Sequence, residues 1–401
     1  MLVEKILEPG EQLPSTWPVD GTTGYDFAVA AVGLLVDPRS EAELTARYAR
    51  FTDDRKSFGE HVYESKHEIM RFSLASEVNM LAWALERIAS KNRRWRDFTL
   101  ISLARALAET IAAFGVYRTY VREDGWVSAT DERHIKASIA SARARNPALN
   151  ASVFAFLEEV LLLRAPASSD TERREQISFA LRFQQLTGPA MAKAVEDTAF
   201  YRYGRLLCLN EVGGSPARWG TTVEELHRQN AERGRSWPLS MTTTSTHDTK
   251  RGEDASARIA VLTEMPSAWA GAVARWAQHA RAFRVQLGSG YAPSRTHEYI
   301  FYQALVGAWP YGWDGQAGRE ELAARMSEFM LKVAKEGKQR TSWSSPDPEY
   351  DRAIVAFCGK LLASEFFVED VRRFCDLLAP YGAVNGLTLT LLRCLSPGLP
   401  D

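Results

Sequence analysis

At 401 residues the chain is too long for one ordinary compact core, so two or more structural units, or one large barrel carrying an insertion, are expected. Lys plus Arg number 49 against 50 for Asp plus Glu, a net charge of −1 that supplies no drive toward nucleic acid or an anionic membrane and suits a neutral partner. The four cysteines form no CxxC pair, no apolar run approaches the roughly 20 residues that span a bilayer, and MLVEKILEPGEQL carries charges inside what would be a signal core, so reduced core thiols and a cytoplasmic location are expected.

Residues 2–7 (LVEKIL) read as a strand with no cap or turn ahead of it, followed by a Pro/Gly-rich loop, EPGEQLPSTWPVDGTTGYDF. From about Pro38 the pattern becomes helical. Val78, Leu81, Leu85 and Ile88 step by three and four, and Asp97 is expected to cap a second run through Leu100, Leu103, Leu107, Ile111 and Phe114. Two further helices fit DERHIKASIASARAR and NASVFAFLEEVLLLR, the latter with Asn150 as N-cap, so the stretch resembles an all-α module.

Periodicity breaks again at FQQLTGPAMAKAVEDTAFYRYGRLLCLNEVGG, and WPLSMTTTSTHD is the clearest later strand, running straight into a helix. Helical patterns return in EDASARIAVLTEM, AWAGAVARWAQHARAF, REELAARMSEFMLKVAKEG and from Pro348 to Leu362, while GLTLTLLRCLSPGLPD fits helix or strand before a closing turn. Strands alternating with helices predict an α/β fold with a parallel sheet or barrel whose polar groups gather at the C-terminal strand ends. No internal repeat or low-complexity tract is visible.

Four places carry candidate chemistry, each with an ordinary structural alternative. Glu4, beside Lys5, is set inside an apolar strand, where desolvation can suit a carboxyl to general acid work; the local pattern alone favours an edge residue facing water. In VDGTTGYDF, Gly21 and Gly24 permit sharp turns while Thr22, Thr23, Tyr25 and Asp26 offer hydroxyls, a ring and an acceptor, a set suited to sugar recognition or to a plain turn. Lys193, Glu196 and Asp197 cluster in AKAVEDTAFYRY, as a binding group or a salt-bridged surface. In STHDTKRGED, Thr246 or Asp248 could cap the following helix, with Glu253 and Asp254 complementing its dipole.

Weaker patterns exclude other chemistries. His61 and His67 are six apart, off the i, i+4 spacing of a zinc pair, and are expected at the surface. Arg93, Arg94 and Arg96 around Trp95 read as a solvated helix end, and GSGY at Gly288 is no GxGxxG fingerprint. There is no P-loop, GxSxG elbow or Cys/His nucleophile motif.

Taken in order, VEKILEPGEQLP, VDGTTGYDF, TGPAMAKAVEDTAFYRYGRLLCLNEVGG, MTTTSTHDTKRGEDASARIAVLTEMPSAW, EYIFYQALVGAWP, TSWSSPDPEYD and LSPGLPD resemble the maltooligosyltrehalose synthase family, in the α-amylase group of glycoside hydrolases (family 13). The resemblance implies a (β/α)8 barrel with large insertions. This chain would supply about strands five to eight: strand five and a substrate loop in 1–38, a helical insertion in 39–170, and strands six to eight with their helices in 171–401. The implied reaction converts the reducing-end α-1,4 bond of a maltooligosaccharide into an α-1,1 bond.

By that resemblance Glu4 matches the acid/base and Asp248 the transition-state-stabilising aspartate. His247, Tyr25, Asp26, Lys193, Glu196, Asp197 and Arg251 are implied substrate-binding residues, and neither metal nor organic cofactor is required. The helical module is the expected lid that keeps water from the intermediate. The nucleophilic aspartate of the family belongs to a segment ahead of Glu4, so the chain reads as a portion lacking the N-terminal half-barrel and the C-terminal domain. It is expected to be inactive alone, to need a complementing N-terminal half-barrel, and to associate through open sheet edges. Two other functions remain open: a non-catalytic glucan-binding module and the trehalose-releasing hydrolase of the same group.

Overall fold

The computed structural model describes residues 1–310 and 315–401. The chain divides into two compact units, Gly59–Ala199 and Met1–Phe58 with Phe200–Asp401. Among the described residues no helix is long and apolar enough to cross a membrane.

The Gly59–Ala199 unit is helical, and its periodic sequence explains it. Val78, Leu81, Leu85 and Ile88 of the helix Ala75–Ser90 are buried, as are Leu103, Leu107 and Ile111 of Leu100–Ala112 and Phe154, Leu157 and Val160 of Ala151–Leu161. Together with Phe179 and Phe183 of Asp170–Met191 they form one apolar core. Asn150 caps its helix by accepting the Ser152 amide, but the Leu100 helix is capped by Thr99, which accepts the Ser102 amide at 3.2 Å, and not by Asp97. A cap must sit one residue ahead of the first turn, and Asp97 is two further back. His61 is buried, contrary to expectation, because it shares a helix face with Ser65 and Ile69 at intervals of four. Pro189 lies inside Asp170–Met191, and the chain then widens into π-helical turns over Ala192–Ala199, where the Thr198 hydroxyl donates to the Lys193 carbonyl at 2.8 Å.

The other unit is also mostly helical, with few strands, as suits a portion of an α/β protein. Its strands are β1 (Leu2–Val3), β2 (Gly21–Thr22), β3 (Met241–Thr242), β4 (Val285–Leu287), β5 (Gly290–Ala292) and β6 (Leu399–Pro400). β1 pairs with β2 and β3 with β6, both parallel, while β4 and β5 make an antiparallel hairpin. The ladders are two residues long where the sequence suggested longer strands, since each parallel strand has one ladder partner among the described residues. The GSG segment is the hairpin turn, with Gly288 at φ +59°. The helix Glu365–Leu395 takes up the ambiguous GLTLTLLRCL segment; Leu378 and Leu389 face inward, while Leu377, Tyr381, Val384, Leu387 and Leu391 lie exposed. Cys208, Cys358 and Cys375 are buried free thiols as anticipated, but Cys394, near the end of that helix, is exposed.

An aromatic cluster centres the core of this unit. Trp269 and Trp276 meet edge to face at 5.8 Å, and the Trp269 indole donates to the Tyr299 hydroxyl at 2.8 Å. Nearby His297 is buried, with Nδ1 3.0 Å from the Tyr350 hydroxyl and no partner for Nε2 among the described residues. Burial pushes its imidazole down from 6.5 to about 4. The folded state therefore favours the neutral ring: the associated stability is present above 6.5 and is lost as pH falls toward 4. At 1.36 kcal/mol per unit this is about 3 kcal/mol. Urea midpoints measured at pH 7 and pH 4 should fall less in His297→Asn than in the parent chain; equal losses would show that His297 does not set the acid sensitivity.

Candidate active site

The site grows from the close approach of two strands. Gly21 has φ +148°, and a Cβ there would lie 2.5 Å from the Ser240 Cα, so only glycine lets the residue before β3 come this near β2. The Ser240 hydroxyl then accepts the Thr22 amide at 3.0 Å. Gly24, at φ +88°, caps the helix Tyr25–Leu34, and a Cβ on it would meet the Met241 carbonyl oxygen at 2.9 Å. The GTTG segment is thus a turn, as its glycines suggest, and one that carries Tyr25 to the C-terminal ends of β1 and β3.

At that point Glu4, Tyr25 and Asp248 meet. The Tyr25 hydroxyl lies 3.0 Å from Glu4 Oε1 and 3.2 Å from Asp248 Oδ2, so one proton is shared between two carboxylates. Burial pushes the phenol well above its usual value, opposed by a hydrogen bond from Thr246 and reinforced by the neighbouring charges of Glu4 and Asp248. It stays a donor. His247 Nε2 lies 3.5 Å from Glu4 Oε1 and 3.6 Å from Asp248 Oδ1. The side chains of Glu4 and Asp248 are 51% and 49% exposed, so both acids remain open to a ligand while their inner oxygens are fixed. Glu4, His247 and Asp248 present ligand atoms within 4.8 Å of one another, the one grouping among the described residues whose spacing could hold a cation.

The capping alternative for the His247–Asp248 segment does not survive. The helix begins at Glu253 with Gly252 as its N-cap, well past Asp248. Thr246 instead closes a turn, its hydroxyl accepting the Asp248 amide at 3.2 Å and its carbonyl accepting the Thr249 amide at 3.2 Å. Glu253 and Asp254 do occupy the first helical turn, and Glu253 accepts the Thr244 hydroxyl at 2.6 Å.

The remaining candidates are placed as follows. Asp26 accepts the Thr22 hydroxyl at 2.8 Å and faces Arg233 at 3.5 Å, which ties it to the framework around β2. Arg251 is buried against Glu211 at 3.2 Å. Lys193, Glu196 and Asp197 belong to the helical unit, in the π-helical segment, where Glu196 accepts the Tyr117 hydroxyl. Lys5, next to Glu4, reaches Glu11 at 2.5 Å and so folds back the loop after β1. A cavity of about 660 Å³ lies alongside, lined by Trp17, Tyr25, Asp26, Arg218, Trp237 and Arg251 among others; it reaches Tyr25 but not Glu4 or Asp248.

Sequence reasoning passed over Glu211. Its signal was a single acid between an apolar run and two glycines in LLCLNEVGG. The sequence offers Tyr25 as part of a sugar-binding set; in the structure its hydroxyl joins the two acids. Replacing Tyr25 with Phe should lower stability by about 1 kcal/mol through loss of a hydrogen bond whose carboxylate acceptors are half-exposed and stay solvated, read from the urea midpoint at pH 7. An unchanged midpoint would show that the hydroxyl is not shared.

No family profile matches the chain. A putative maltooligosyl trehalose synthase of Mycobacterium tuberculosis (strain H37Rv) is 32% identical over all 401 residues, which cover 47% of that protein. The solved maltooligosyltrehalose synthase of Arthrobacter ramosus superposes with a TM-score of 0.81 at 34% identity, covering 100% of this chain and 46% of that one. DSM5389 glycosyltrehalose synthase gives 0.77 at 30% identity, again over 46% of its length. The chain spans about half the length of the curated relatives it matches. The chain is thus similar along its whole length to about 47% of a putative maltooligosyl trehalose synthase.

Proposed function

We propose that the chain supplies two of the three acids of a retaining transglucosylation, in which the reducing-end α-1,4 bond of a maltooligosaccharide becomes an α-1,1 bond. The observation that carries this reading is the pairing of Glu4 and Asp248 across one Tyr25 hydroxyl, at 3.0 and 3.2 Å, in a chain with synthase relatives. In this scheme β1, β2, β3 and β6 are strands of a (β/α)8 barrel with the site at their C-terminal ends; counted five to eight, β2 becomes the sixth strand and lies in 1–38, ahead of the 171–401 stretch expected from the sequence to hold strands six to eight.

Glu4 acts as acid and then base: it protonates the leaving glycosidic oxygen and later takes the proton from the incoming anomeric hydroxyl of the released glucose. Its side chain is half-exposed and so open to a ligand. Asp248 binds sugar hydroxyls and favours the oxocarbenium-like transition state, with His247 donating to a neighbouring hydroxyl. Retention requires a nucleophilic carboxylate about 5 to 5.5 Å from the acid/base. We assign that nucleophile to a complementing half-barrel, in keeping with a chain that spans about 47% of the curated synthase it matches. The half-exposed acids suit this assignment, because water has to be excluded for transfer to outrun hydrolysis. No cofactor enters the scheme, and the chemistry is cytoplasmic.

The competing reading is a glucan-binding module with no turnover; the synthase names of the relatives, 32% identical, favour the enzyme over it and over the trehalose-releasing hydrolase. The chain alone incubated with maltopentaose should give no trehalosyl product, and product from the unaided chain would contradict the assignment of the nucleophile. In a reconstituted barrel Glu4→Gln and Asp248→Asn should each lower kcat by roughly 10²- to 10⁴-fold while leaving glucan affinity within a factor of a few. Unaltered turnover in both would remove the acids from the mechanism.

A further inference from the structure

The turn that carries His247 and Asp248 is exposed at its tip, yet it is anchored at its base by a buried group outside the acid pair. Glu211 Oε2 accepts the Lys250 amide at 2.7 Å, and Glu211 Oε1 lies 3.2 Å from Arg251 Nη1. The same Arg251 nitrogen donates to the Asn210 carbonyl at 3.2 Å. Arg251 and Glu211 are 8% and 12% exposed at their side chains, so the pair is screened from water and its geometry is fixed. Asn210 is in turn held by its side-chain amide, which donates to the Phe200 carbonyl at 2.8 Å and the Tyr203 carbonyl at 2.6 Å. The chain of contacts runs from the packed interior to the residue two positions after Asp248.

The other end of the turn has its own anchor in the Thr244 to Glu253 bond, which leaves the segment between as a short bridge clamped on both sides. Within that bridge the internal contacts are the weak Thr246 turn bonds at 2.8 to 3.2 Å. They shape the turn but do not attach it to the rest of the protein. Burial of Glu211 raises the cost of its charge, and Arg251 together with the Lys250 amide offsets it.

We propose that Glu211 is a positioning residue, which through the Lys250 amide and Arg251 sets the turn so that Asp248 reaches the Tyr25 hydroxyl opposite Glu4. The inference rests on the reading of Glu4 and Asp248 as a working pair, but its test needs no turnover. Glu211→Ala removes both contacts. Glu211→Gln keeps an oxygen for the Lys250 amide and gives up the charge facing Arg251. Asp248→Asn serves as the reference for a disturbed acid.

Two readouts on the intact chain decide it. Exchange of the Lys250 amide with deuterium should accelerate about 10- to 100-fold in Glu211→Ala and by less in Glu211→Gln, the expected loss for a hydrogen bond to a charged acceptor. In protein labelled at the tyrosine ring carbon that bears the hydroxyl, the Tyr25 resonance should move in Glu211→Ala in the direction produced by Asp248→Asn, and Glu211→Gln should restore most of the parent position. A merely structural Glu211 would lower the melting temperature and leave the Tyr25 resonance in place, which would overturn the proposal. Should Glu211→Ala fail to fold, Glu211→Asp, which draws the carboxylate back by one methylene from both the Lys250 amide and Arg251, takes its place: a parent-like Lys250 exchange rate together with a parent-like Tyr25 resonance there would also overturn the proposal. Failure of the transglucosylase reading would show instead as absent turnover in a reconstituted barrel with both of these signatures intact.

Discussion

The shared proton of Tyr25 is the constraint on which the rest of the site depends. Two carboxylates a few ångströms apart repel, and an exposed pair would splay unless something held the inner oxygens together. A buried phenol, with its hydroxyl held in the donor state by desolvation, does this without adding charge. It leaves the side chains of Glu4 and Asp248 half-exposed, where a ligand's hydroxyls can reach them beside His247. The arrangement suits a neutral, hydroxyl-rich partner, in keeping with a chain whose net charge is −1.

The fold exists around that point through backbone proximity. Gly21 and Gly24 are there because a side chain at either would collide with Ser240 or Met241, so the two parallel ladders can be brought together at one end. From there each functional group lies a few residues beyond a strand: Glu4 one after β1, Tyr25 three after β2, Thr246 four after β3. The pattern explains why short ladders suffice. The strands need only aim their C-terminal residues, while the mass of the unit comes from helices packed on Trp269, Trp276 and Tyr299.

Much of this was readable in the sequence, for physical reasons that differ by region. The helices around Leu81, Leu107 and Leu157 announce themselves because a two-sided helix must repeat every three to four residues. The glycines of GTTG were recognisable as turn formers, since few other residues accept a positive φ. What stayed hidden depended on distance along the chain. The partners of Tyr25 are 21 and 223 positions away, and those of Glu211 are 39 and 40, separations that no local pattern encodes. Local reading misjudged Asp248 as a possible cap for the same reason, because the turn at Thr246 and the delay of the helix to Glu253 follow from the tertiary anchors at Thr244 and Glu211. His61 was likewise misplaced, since a polar residue on a helix gives no sign of facing a core until the neighbouring helices are known.

The central claim is that a glucan is received at the Glu4, Tyr25 and Asp248 constellation. Titrating maltopentaose into isotopically labelled chain and following backbone and tyrosine resonances tests it most directly. The account predicts saturable shifts at His247, Asp248 and the Tyr25 ring. Shifts confined to other residues, or none at concentrations where the sugar binds, would contradict it.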